Sequence, residues 1–197
     1  MFYYIARPIV IAILKLIFRF KVEGLENLPS KTNFIVVANH SSYLDPVLVG
    51  AAIPRKIYWI TMRSLFSYPW LRWLMAITRT LPTGEASKRA IDLLMKDKFI
   101  GIFPEGKRSE DGKLTEFRRG AALLAIKTGR PIVPCAILGG YDVLSKGTAF
   151  SRFARIKVKI GKPTFLSKEF TDVIDDLALQ EGIFEVKNRI QEMMHAG

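Results

Sequence analysis

Phe34-Ile35-Val36-Val37-Ala38-Asn39-His40-Ser41-Ser42-Tyr43-Leu44-Asp45-Pro46 decides the fold of this 197-residue chain. The run Phe34–Ala38 is wholly apolar and reads as a strand. Asp45-Pro46 reads as a helix N-cap followed by proline at the first helical position, opening a short helix over Pro46–Ala52. A strand that passes through a polar turn into a helix is the repeating unit of an α/β domain.

The same alternation continues outward. Ile57–Ile60, Thr78–Leu81 and Phe99–Phe103 are strand candidates. Leu65–Ala76 is apolar, carries Trp70 and Trp73, and reads as helix. Ser87–Lys96 places Ala90, Ile91, Leu94 and Met95 at helical spacing. Gly120–Thr128 is an apolar helix closed by Gly129, with Pro131 just beyond. Ile132–Leu138 is a buried strand. Arg155–Ile160 alternates cations with apolar residues, as a half-exposed edge strand does, and Glu181–Met194 is a closing helix. The expected architecture is a single α/β domain with a mixed, largely parallel sheet flanked by helices. No repeat, low-complexity tract or internal linker interrupts it.

Composition narrows the partners. The formal charge is +12 and 49% of residues are hydrophobic. This balance favours an anionic partner such as a lipid headgroup, a phosphorylated substrate, an acidic carrier or a nucleic acid. The cations are scattered and form no nucleic-acid-binding motif, so nucleic acid is not expected. A single cysteine, Cys135, excludes an internal disulfide and a cysteine-rich zinc site. Within its apolar strand it reads as a small buried hydrophobe.

The first 21 residues read as a membrane-associating helix, with residues 22–197 as the α/β domain. Phe2–Phe20 is almost wholly apolar but carries Arg7, Lys15 and Arg19. The apolar stretch between Arg7 and Lys15 is too short to span a bilayer, and no small-residue cleavage site follows it. Cations interleaved with aromatics suit a helix lying in one leaflet. The expected location is the cytoplasmic face of the cell membrane.

Two polar turns carry candidate chemistry. The chain has two histidines, and His195 stands in the C-terminal tail, so His40 is the candidate general base. Asp45 is the candidate orienter, accepting from one ring nitrogen and stabilising the imidazolium as it forms. On a continuous helix five residues turn through roughly 500°, so the pair must share a turn. The plainer alternative is that Asp45 only caps the helix. Ser41 and Ser42 read as turn residues rather than nucleophiles.

The second turn is Gly101-Ile102-Phe103-Pro104-Glu105-Gly106-Lys107-Arg108-Ser109. It opens like a phosphate-binding loop, but Arg108 replaces the magnesium-binding hydroxyl and Pro104 removes an amide donor. It reads instead as a strand-end turn, in which Glu105 can hold a polyol, Arg108 a phosphate, and Gly106 lets the backbone approach a ligand. The alternative is a solvated charged turn. Both turns follow strands, so both can lie at one sheet edge, where α/β proteins bind ligands.

Asn39-His40-(four residues)-Asp45-Pro46 together with Phe103-Pro104-Glu105-Gly106-Lys107-Arg108-Ser109 resembles the glycerolipid acyltransferase superfamily, notably its 1-acylglycerol-3-phosphate acyltransferases. Phe117-Arg118-Arg119-Gly120-Ala121, Gly129-Arg130-Pro131-Ile132-Val133-Pro134 and Gly161-Lys162-Pro163 follow in that family's order. The resemblance covers residues 20–165. It implies that His40 deprotonates a glycerol hydroxyl, with Asp45 orienting the ring, and that the oxygen attacks a fatty acyl thioester directly. The donor is acyl-CoA or acyl carrier protein, the acceptor lysophosphatidic acid, and neither metal nor cofactor takes part. Glu105 and Gly106 would position the acceptor, Arg108 its phosphate, and Pro134 would line the site. Lys107 stands where the family usually has threonine. Thr83-Gly84-Glu85 stands where its second motif ends near an arginine; Arg63, Arg72, Arg79, Lys88 and Arg89 are the candidates for that cation. Glycerol 3-phosphate or another lysolipid is the alternative acceptor. A non-catalytic, basic membrane-binding module is the alternative of a different class.

Overall fold

The computed structural model describes residues 2–61, 80–82, 86–143, 154–166 and 175–196. Among them a sheet of seven strands runs in the order β1-β7-β6-β2-β5-β3-β4. The strands are β1 (Lys21–Glu23), β2 (Ile35–Ala38), β3 (Ile57–Thr61), β4 (Leu81–Pro82), β5 (Phe99–Ile102), β6 (Ile132–Leu138) and β7 (Lys157–Ile160). The helices are α1 (Phe2–Phe18), α2 (Asp45–Ala52), α3 (Ala86–Met95), α4 (Gly120–Thr128) and α5 (Asp176–His195).

β6, β2, β5, β3 and β4 run parallel, and β7 pairs antiparallel with β6. β2 is central, with every residue fully buried. Its side chains alternate between two cores. Val36 and Ala38 join Trp59, Val133, Cys135 and Ile137 beneath α1 and α2. Ile35 and Val37 join Ile100, Ile102 and Ala136 beneath α3, α4 and α5. Each fully buried Ile or Val in such a strand contributes roughly 1.5–3 kcal/mol. A strand apolar on both faces must be covered on both, which makes the domain three layers deep.

Two expectations are corrected. The Arg155–Ile160 strand is not an edge, because β1 pairs parallel with β7 and Lys157 Nζ meets Glu23 at 3.0 Å. β1 is only Lys-Val-Glu and carries no apolar run to betray it. Of the three cations expected on the first helix, Arg7 turns inward and Arg19 lies just past its end. Its Nη2 donates to Ala52 O at 3.3 Å, at the C-terminus of α2, where the helix dipole favours a cation. One face of α1 packs into the domain, with Leu14 and Phe18 in the core. Among the described residues no helix is long and apolar enough to cross a membrane. The Leu65–Ala76 segment lies outside the described residues, as do residues 78–79 of the strand expected over Thr78–Leu81; the strand seen there, β4, begins only at Leu81.

Candidate active site

β2 and β5 are parallel neighbours, with Val37 opposite Ile102, so their C-terminal turns emerge side by side. Asn39 extends the β2 ladder by one step. Its Nδ2 donates to Ile137 O at 3.0 Å and its Oδ1 accepts from Ile137 N at 2.7 Å. The chain then breaks into the turn that holds His40.

His40 Nδ1 lies 2.8 Å from Asp45 Oδ2. The same oxygen accepts the backbone N–H groups of Ser41 at 2.7 Å and Ser42 at 2.8 Å. An oxygen already receiving two donors must be an acceptor toward the ring as well. In the neutral ring Nδ1 therefore carries the proton, and Nε2 holds the lone pair. Asp45 is fully buried, while the His40 side chain keeps 18% of its surface exposed. Asp45 is not the helix cap expected from Asp45-Pro46. α2 has no side-chain cap, and the carboxylate faces back into the turn. Ser42 Oγ donates to Val143 O and accepts from Leu44 N, so its hydroxyl is committed to the turn.

The backbone of His40 is clamped from the β5 side. Its N–H donates to Glu105 Oε1 at 2.7 Å, and its carbonyl accepts from Ser109 N at 2.7 Å. Glu105 Oε2 takes both the N–H and the hydroxyl of Thr115, at 3.1 and 3.0 Å. Glu105 is only 5% exposed. Its two oxygens tie three segments together, which is a brace rather than the open polyol holder expected. Gly106 has φ +70°, a left-handed conformation that favours glycine, and a Cβ there would lie 2.8 Å from the Arg118 guanidinium and displace it.

Arg108 lies over the Tyr43 ring, its Cζ 3.5 Å from the centroid. Its Nη1 is buried and has no hydrogen-bond partner among the described residues. A buried cationic donor left unpaired is costly, and a phosphate oxygen at this position would satisfy it. Beyond this turn Asp111 accepts from Lys113 N and Ser109 Oγ, which holds its carboxyl below the usual carboxylate range.

The structure therefore brings His40, Asp45, Glu105, Gly106 and Arg108 to one sheet edge. Pro134 is elsewhere. It stands opposite Val37 in mid-strand, on the face covered by α3–α5, and packs near Gly161. Phe103, against which His40 stacks, belongs to the other face. Arg63, Arg72 and Arg79 lie outside the described residues; Lys88 and Arg89 are exposed on α3. Three residues went unread in the sequence. Tyr43 had a signal, an exposed aromatic within the His–Asp turn. Trp59 was hidden in an apolar strand, and Thr115 had no pattern at all. Among the described residues no cluster of His, Cys, Asp and Glu is arranged to hold a metal.

The sequence profile of the Acyltransferase family matches residues 19–138, which contain both turns and all of β2, β5 and β6. The chain belongs to the acyltransferase family. It is 30% identical to the 1-acyl-sn-glycerol-3-phosphate acyltransferase of Bacillus subtilis over 188 residues, 88% of this chain and 90% of that protein. It is 32% identical to the chloroplastic 1-acyl-sn-glycerol-3-phosphate acyltransferase BAT2 of Brassica napus over 184 residues, 88% of this chain and 50% of the relative. The chain thus spans about half the length of that plant protein and of its Arabidopsis thaliana counterpart. The crystal structure of the 1-acyl-sn-glycerophosphate (LPA) acyltransferase PlsC from Thermotoga maritima superposes with a TM-score of 0.79 at 27% identity, covering 98% of this acyltransferase and 79% of that chain.

Proposed function

We propose that this acyltransferase moves a fatty acyl chain from a thioester to the free hydroxyl of lysophosphatidic acid, giving phosphatidic acid. The observation that carries the reading is the His40–Asp45 pair at 2.8 Å, with the ring partly exposed beside an unpaired Arg108 donor. Nε2 takes the hydroxyl proton as the oxygen attacks the thioester carbonyl carbon. The C–S bond breaks, and the thiolate recovers the proton from the imidazolium. Positioning and general-base assistance each supply several kcal/mol, and a thioester is already activated. Arg108, held flat by Tyr43, meets the acceptor's phosphate, which favours a phosphorylated acceptor over a neutral lysolipid. The relatives' names, which specify 1-acyl-sn-glycerol-3-phosphate as acceptor, support the same choice.

Donor and location follow from charge and from α1. Acyl-CoA and acyl carrier protein are both anionic thioesters suited to a chain of formal charge +12. Ile9, Ile13 and Leu16 stand at i, i+4 and i+7 on the face of α1 turned away from the core, and all are exposed. Exposed Lys15 and Arg19 accompany them. This stripe suits insertion into one leaflet at the cytoplasmic face of the membrane, with the cations at the headgroups. In this reading residues 1–21 form the membrane-facing element and residues 22–197 the catalytic part.

The test is purified protein with lysophosphatidate and acyl-CoA or acyl carrier protein, read by thiol release and lipid mass analysis. Phosphatidic acid should form, and His40→Ala should abolish it. Wild-type turnover in His40→Ala would sink the mechanism. Preferred turnover of glycerol 3-phosphate in a competing-acceptor assay would replace the acceptor. Liposome binding without turnover of any thioester would leave only a membrane-binding module. Ile13→Asp with Leu16→Asp should lower binding to anionic vesicles; unchanged binding would remove α1 from the membrane contact.

A further inference from the structure

We propose that Trp59 and Phe103 form an aromatic platform that sets the plane of the His40 ring, which makes both of them positioning residues. The inference rests on the reading of His40 as the base.

The platform crosses three neighbouring strands. Trp59 on β3 stacks on Phe103, just past β5, with centroids 4.8 Å apart and planes 6° from parallel. Phe103 stacks in turn on His40, just past β2, at 4.3 Å and 22°. Gly101 makes this possible. It is the register partner of Trp59, and a Cβ there would come within 2.6 Å of indole Cε3 and Cζ3. The absent side chain lets the indole lie across β5, under the residue two positions further along the same face. Trp59 is 5% exposed, so its place is fixed by packing on all sides.

The need for such a platform follows from the other contacts. The Nδ1–Asp45 bond holds one atom of the imidazole, and the bonds from Glu105 and Ser109 hold its backbone. None of them stops a coupled change in χ1 and χ2 that keeps Nδ1 within reach of Asp45 while tilting the ring, which swings Nε2 sideways. A flat ring against one face does. Nε2 is the atom that must meet the hydroxyl, and a misplacement near 1 Å can cost on the order of 100-fold in rate. Aromatic pairs favour these separations, so Phe103 is itself held by Trp59 rather than free to follow the imidazole.

The test compares Trp59→Leu, Trp59→Phe, Phe103→Leu and His40→Ala, each checked for a cooperative thermal transition. Trp59→Leu and Phe103→Leu should lower kcat about tenfold or more, within the range misplacement produces, with KM for both substrates nearly unchanged. Trp59→Phe, which keeps a ring against Phe103, should restore most of that loss. A second readout is independent of turnover. The chain has only two histidines and His195 is exposed, so the ring protons of His40 can be followed by NMR. Stacked on Phe103 they should resonate upfield, and the shift should vanish in Phe103→Leu and shrink in Trp59→Leu. Wild-type kcat in both leucine variants, a loss confined to KM, or unmoved His40 resonances would overturn the platform. If His40→Ala itself turned over normally, the base assignment would fall instead, and the resonance shifts would still report the stack.

Discussion

Asp45 is the site's most heavily used side chain, and two substitutions separate its duties. Oδ2 gathers three donors within 2.8 Å: His40 Nδ1 and the N–H groups of Ser41 and Ser42. Oδ1 is buried without a hydrogen-bond partner among the described residues. Asp45→Ala leaves two buried amides unsatisfied at about 1–3 kcal/mol each. For a domain of this size 1 kcal/mol moves Tm by about 2–4 °C, so the variant should melt roughly 4–24 °C lower. Asp45→Asn is different. Its carbonyl oxygen can take the Oδ2 position and keep all three acceptor bonds, so Tm should move only a few degrees. What it loses is the negative charge beside the forming imidazolium. Amide for carboxylate beside a catalytic histidine lowers kcat by on the order of 10⁴-fold, or about 5.5 kcal/mol of barrier. Thermal melting by circular dichroism and thiol release with lysophosphatidate read the two effects separately. The Asn variant should be stable and nearly inactive, and the Ala variant both unstable and inactive. An Asn variant within tenfold of wild type would refute the electrostatic role, and an Ala variant melting at the wild-type temperature would refute the turn's dependence on this carboxylate.

Glu105→Gln has one acceptor oxygen for donors on two sides, so it must set its amide against either His40 N–H or Thr115 N–H. Tm should fall by about 2–12 °C, on about 1–3 kcal/mol for the lost bond, and an unchanged Tm would mean Glu105 serves only substrate. Tyr43→Leu frees the Arg108 guanidinium, which should raise KM for lysophosphatidate several-fold with kcat little changed, while Tyr43→Phe keeps the ring and should retain the wild-type KM. Equal KM in all three would remove Tyr43 from the acceptor site. Burial pushes the Cys135 thiol up to about 12. At pH 8 the native protein should resist iodoacetamide and react fully once unfolded. Lowering the pH should protect it further, and rapid labelling of the native state at pH 8 would contradict the burial.

What could be read from the sequence was local, or carried by whole strands. His40 and Asp45 meet because a polar turn joins a strand to a helix, and that turn is visible in thirteen consecutive residues. The approach of Glu105 and Arg108 followed from β2 and β5 being parallel strands with turns at the same end. The cap expected of Asp45 was misread because Ser41 and Ser42 present their own N–H groups to it, and they compete with the first turn of α2. Edges were harder. The alternation of Lys157, Val158, Lys159 and Ile160 is genuine, with Val158 and Ile160 buried, but it reports the exposure of side chains and says nothing of whether another strand hydrogen-bonds alongside. Three residues as polar as Lys21-Val22-Glu23 supplied that neighbour unseen. Pro134 shows the deeper limit. In an amphipathic strand the polar positions mark one face and so locate every residue. β6 is apolar on both sides, so nothing in Ile-Val-Pro-Cys-Ala-Ile-Leu distinguishes odd positions from even ones. Only the register, with Val37 opposite Pro134 and Ala38 opposite Cys135, assigns Pro134 to the α5 side and away from His40. A site built at the end of a fully buried strand can therefore be located from sequence along the strand axis, but not across the sheet.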